Sequence, residues 1–131
     1  MRFSIILFFI FLIPHLHSQT PDQIVQQQLE AYNLRDIDEF MAVFHPDVEL
    51  WTLGAETPNA VGWEKVKELY ADLFVLSPEL HSTVLTRSVI GNKVIDYEKI
   101  SGRKEAKEDV FLVMIYEIKD NLIWKAWAVR E

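Results

Sequence analysis

The hydrophobic period of this chain changes near Leu80, and that change limits its fold more than any other feature. Before it, apolar residues recur at spacings of three and four; after it, they alternate. Thr20-Pro21-Asp22-Gln23 supplies a capping threonine, a first-turn proline and a glutamine placed to close a capping box. Ile24, Val25, Leu29 and Tyr32 follow as one helical stripe. Asp36-Ile37-Asp38-Glu39 repeats the cap and opens a shorter helix with Phe40 and Phe44 on one face, which His45-Pro46-Asp47 is expected to end. Residues 48–53 read as a short strand and 54–61 as a loop rich in turn formers. A third helix is expected from residue 62 to about 76, with Trp63, Val66, Leu69, Tyr70, Leu73 and Phe74 on its apolar face and Ser77-Pro78 as its stop.

Residues 80–90, 93–101, 110–119 and 122–130 are rich in Val, Ile, Tyr and Trp and read as strands. Gly91-Asn92 and Asp120-Asn121 are tight hairpin turns, and the charged stretch 102–109 is an exposed loop. Helices followed by a strand meander predict an α+β domain with three helices on the concave side of a curved antiparallel sheet. There is no internal repeat and no linker.

Ahead of this domain, Arg2 precedes an apolar run from Ile5 to Ile13 broken by Pro14, the layout of a secretory signal peptide that would be cut after Ser18. The run is short for a bilayer, which takes about 20 apolar residues, so a retained anchor is the lesser alternative. Residues 19–131 are then one exported domain. The formal charge of −7 argues against nucleic acid and anionic membrane as partners, since both are polyanions. The absence of cysteine removes disulfides, thiol chemistry and thiolate metal sites.

A two-residue turn at Gly91-Asn92 sets the pairing of the first hairpin. It places Arg87 opposite Asp96, Leu85 opposite Glu98, Thr83 opposite Ile100 and Val89 opposite Val94, with His81 on the same face. Both faces of the later strands are apolar, whereas three short helices can cover only one. A homodimer in which a second copy covers the outer face is the expected assembly.

Three segments, Ala31 to Phe40, Phe44 to Trp51 and Leu122 to Trp127, resemble SnoaL-like domains of the nuclear transport factor 2-like superfamily, which includes ketosteroid isomerase and polyketide cyclases. That resemblance implies a cone-shaped sheet enclosing a small-molecule pocket, in isomerases, cyclases, hydrolases, dehydratases or non-catalytic binders. The isomerase's oxygen-binding tyrosine falls on Gln28, its base aspartate on Thr52 and its protonated aspartate on Met114. A supporting tyrosine is matched by Tyr70. An isomerase of that design is therefore not expected. The resemblance puts Val94, Asp96 and Glu98 on the pocket side, together with Lys125, Trp127 and Val129.

Asp96 and Glu98 project side by side into a pocket walled by Tyr32, Trp51, Leu85, Met114, Tyr116 and Trp127. Apolar walls raise a carboxyl pKa and a neighbouring cation lowers it. Arg87 is expected to hold Asp96 ionised, leaving Glu98 as acid or base; alternatively the pair is an ordinary cross-strand bridge and Glu98 is solvated at the rim. His81 could be a second acid or base, or simply a surface residue. Lys125 could receive an anionic ligand group, or extend to solvent. No two histidines share ligand spacing, so no metal is expected, and no nucleotide or nucleophile motif is present. The expected function is cofactor-free proton transfer on a small apolar or amphipathic molecule, against the alternative of a binder without catalysis.

Overall fold

The computed structural model describes residues 18–130, so all but the last residue of the expected signal segment, residues 1–18, lies outside the described residues. Helix α1 (Pro21–Leu34) starts at the predicted capping box, where the Thr20 N–H donates to the Gln23 side chain at 3.0 Å. It ends at Arg35, whose left-handed backbone (φ 53°) turns the chain at once into α2 (Ile37–Met41). There Asp36 accepts from the Glu39 N–H at 3.1 Å and caps the new helix. Strand β1 (Phe44–Thr52), the two-residue β2 (Ala60–Val61) and helix α3 (Trp63–Leu76) follow. The meander is β3 (His81–Ile90), β4 (Lys93–Ser101), β5 (Val110–Lys119) and β6 (Leu122–Val129).

Two local expectations give way here. His45-Pro46-Asp47 does not end a helix but lies inside β1, and residues 54–61 contain β2. Proline is tolerated there because the β1–β6 register breaks between Phe44 and Glu49, so its missing N–H costs no ladder bond.

One sheet of order β2-β1-β6-β5-β4-β3 results. It is not wholly antiparallel as expected, because β1 runs parallel to β6, Leu50 lying beside Ala126. That pairing brings the first strand to the last and lets the three helices cover one face. Ile24, Val25, Phe40 and Val66 meet Val48, Val94 and Ile123 there, all fully buried. Phe40 and Tyr70 pack with ring centroids 4.4 Å apart, and Phe74 packs edge-on to both Tyr32 and Phe40.

The first hairpin departs from its simple register in a way that matters for function. Arg87 faces Asp96 and Val89 faces Val94 as expected, but Val84, not Leu85, faces Glu98. A β-bulge at Leu85 shifts the remaining pairs by one, so Ser82 faces Ile100 and His81 faces Ser101. One inserted residue reverses the face of every side chain beyond it. Leu85 becomes 45% exposed, His81 turns outward to solvent, and Ser82 turns inward at 3% exposure.

Candidate functional site

Between helices and sheet lies a cavity of about 130 Å³. Leu50, Leu73, Ile100, Leu112 and Met114 form much of its apolar wall. Register sets Ala128 beside Met114 and Ala126 beside Tyr116, so two methyl-sized side chains face inward where β6 crosses the cavity. Their neighbours Lys125 and Trp127 face outward, a correction to the expectation that both line the pocket. Alanine leaves the cavity open where tryptophan would fill it. Lys125 is engaged on the outer side, 3.5 Å from Glu49 and 4.4 Å from the Trp124 ring centroid.

Glu98 is the acidic group of this cavity. It is 5% exposed, and both its oxygens are held: Ser82 Oγ donates to Oε2 at 3.1 Å, and the Tyr116 hydroxyl donates to Oε1 at 3.2 Å. Burial, and next the negative charge of Asp96, push its pKa up to about 7; the hydrogen bonds from Ser82 and Tyr116, and Arg87, pull in the opposite direction. Without the bulge at Leu85, Ser82 would point away and Thr83 would take its place opposite Ile100.

Asp96 shares the inward face with Glu98 but does not line the cavity. Arg87 grips it in two parallel bonds, Nε to Oδ1 at 2.7 Å and Nη2 to Oδ2 at 2.8 Å, and this pairing raises the arginine pKa. The third arm of Arg87 donates to Gln26 on α1 at 3.0 Å. The expected pair of acids is thus split: Asp96 is an ion-pair partner buried beside the site, Arg87 on the same face is taken up by Asp96 and Gln26 and does not line the cavity, and of the two acids Glu98 alone reaches it. His81 and Leu85, expected on the cavity side, are carried out of it by the bulge.

Three phenols surround Glu98. Tyr32 on α1, Tyr70 on α3 and Tyr116 on β5 all line the cavity. Burial raises all three, Tyr70 to about 12, with the Glu98 charge adding to the effect. They therefore remain hydrogen-bond donors through the whole neutral range. Trp51, in register with Trp127, also contributes to the wall, and its indole N–H is buried without a hydrogen-bond partner among the described residues.

Sequence reasoning missed Ser82, Arg103 and Arg130 in the lining. Ser82 carried no signal, because nothing in a Ser-Thr-Val-Leu run marks the bulge. Arg103 was hidden in a stretch read as a solvated charged loop. Its position depends on Gly102, whose φ is +75° and whose Cβ, were there one, would collide with the Glu79 carbonyl. That close approach, with the Lys104 N–H donating to Ser77 Oγ at 3.1 Å, folds the loop against the end of α3. Among the described residues, no group of three or more His, Asp or Glu side chains could hold a metal ion.

Comparison with known proteins gives a consistent fold. A family model described as a SnoaL-like domain matches residues 25–126. No curated protein matches. Among solved structures, a cystatin-fold protein from Novosphingobium aromaticivorans superposes with TM-score 0.78 at 16% identity, covering 86% of this chain and 99% of its own. A proposed polyketide cyclase from Sinorhizobium meliloti gives 0.70 at 24% identity over 81% and 93%. An LEH-like epoxide hydrolase from M. tuberculosis gives 0.72 at 13% over 85% and 82%. Identities this low bear on fold and not on reaction.

Proposed function

This chain belongs to the SnoaL-like domain family, and we propose that within it the protein acts on a small molecule by proton transfer through Glu98. The observation that supports this is a buried carboxyl, poised near neutrality by burial and by Asp96, facing a cavity ringed by phenols. A general base works best with a pKa close to the working pH. As carboxylate, Glu98 takes a proton from a carbon next to a carbonyl. Tyr32 and Tyr70 donate hydrogen bonds to the oxygen on which charge develops, and Glu98 returns the proton to a different carbon. One group that takes and returns one proton gives an isomerisation and consumes no co-reactant.

A one-ring cyclic ketone in deuterated water is a direct probe. Wild-type protein is expected to speed exchange of its α-hydrogens, with a rate that rises through pH 7 as Glu98 ionises; Glu98→Gln is expected to lose it. Ketone binding without exchange in wild type would refute catalysis and leave the binder. That second reading has one observation in its favour: His81 faces solvent, so the cavity lacks the second acid or base once expected.

The remaining parts of the reading concern context. Export is supported by the N-terminal charge and apolar run. A homodimer is supported by the outer sheet face, where Tyr97 and Phe111 stack at 6.2 Å while 40% and 55% exposed. Phe111→Glu is expected to yield monomer in sedimentation if a second copy covers that face. Among the described residues no helix is long and apolar enough to cross a membrane.

A further inference from the structure

The cavity has a second polar end that proton transfer does not use. Arg103 leaves the end of β4 and Arg130 follows the end of β6, so two strands far apart in sequence deliver guanidinium groups to the lining of one cavity. The chain carries 20 acidic residues against 13 lysines and arginines. Most cations near this sheet have found carboxylates: Arg87 pairs with Asp96, Lys93 with Glu117, Lys99 with Asp109 and Lys125 with Glu49. Arg103 and Arg130 have no carboxylate partner among the described residues. Two unpaired cations turned toward a cavity, in an acidic protein with carboxylates to spare, point to a charge that arrives from outside. Their field already reaches the site, since both lower Tyr70 against the larger effect of its burial.

We infer that the ligand is a small organic carboxylate, its anionic group held by Arg103 and Arg130 and its apolar body lying along Leu50, Leu112, Met114 and the two alanines. This rests on the small-molecule reading above and names its substrate class. Guanidinium suits the role because its planar fork matches a carboxylate with two parallel hydrogen bonds. The body is limited in size: an apolar cavity of about 150 Å³ admits a benzene ring, and this one is about 130 Å³. A ring or short branched chain bearing one carboxylate fits that description.

Phenylacetate and its neutral isostere phenylacetamide test the assignment, by calorimetric titration of the mature protein at pH 6. One charge-assisted contact is worth about tenfold or more in affinity, so phenylacetate is expected to bind at least about tenfold tighter than the amide. Arg103→Gln with Arg130→Gln is expected to erase that preference, with phenylacetate falling to the affinity of the amide. Phenylacetamide bound as tightly as phenylacetate, or a preference that survives the double substitution, would overturn the carboxylate assignment and spare the small-molecule reading. Failure of both probes to bind would count against both.

Discussion

Replacing Glu98 by Gln removes a titration whose cost to the fold can be worked out. The carboxyl titrates at its ordinary 4.5 in the unfolded chain and at about 7 in the folded protein. Because the folded value is the higher one, the native state prefers the proton. Its stabilising contribution is complete below pH 4.5 and is lost as pH rises through 7. The loss is the pKa difference times 1.36 kcal/mol, roughly 3 kcal/mol in all. Glutamine keeps the shape and can satisfy both Ser82 and Tyr116 without a charge to bury. Wild type and Glu98→Gln should therefore be about equally stable at pH 4, and the variant should be the more stable by roughly 3 kcal/mol at pH 8. Urea denaturation of both proteins across that range reads the difference directly, and contributions from other carboxylates cancel between them. Parallel stability curves would show that Glu98 titrates normally, and the argument from burial would fail.

Three further outcomes follow from the same geometry. Asp96→Asn removes the negative charge that is second only to burial in raising Glu98, so a carboxyl carbon-13 titration should show Glu98 ionising below 7; the variant should also lose about 3 kcal/mol of stability, because Arg87 is left without its buried partner. Gly102→Ala forces a side chain into a left-handed backbone against Glu79, and thermal unfolding should show a loss of about 2 kcal/mol or more. His81→Ala should change stability by less than about 0.5 kcal/mol and leave the Glu98 titration where it is, since the bulge at Leu85 turns that side chain to solvent; a shifted titration would place His81 at the site after all.

The elements were legible because local signals carry them. Capping residues at Thr20 and Asp36, the three-and-four spacing of α3 and the alternation after Leu80 each act over a few residues, and β4 and β5 appear with the predicted ends. The Arg87–Asp96 contact was legible too, being only a few pairs from the Gly91 turn that sets it. Errors accumulate beyond the bulges. Leu85 reverses the face of Ser82 and His81, and the Glu117–Ile118 irregularity lies where β6 begins its run of Ala126 and Ala128.

Hydrophobic period and turn chemistry, both properties of neighbouring residues, determined that this chain would make helices first and a strand meander second, and the resemblance to SnoaL-like domains implied a pocket between them. Which side chains enter that pocket was decided by contacts between segments distant in sequence: β1 beside β6, Gly102 against Glu79, and a single extra residue accommodated at Leu85. A strand has a side-chain period of two, so one such residue puts Ser82 in the place opposite Ile100 that Thr83 would have taken, and turns His81 out to solvent. The energy that selects the exchange comes from packing across the finished sheet, which no short stretch of sequence contains.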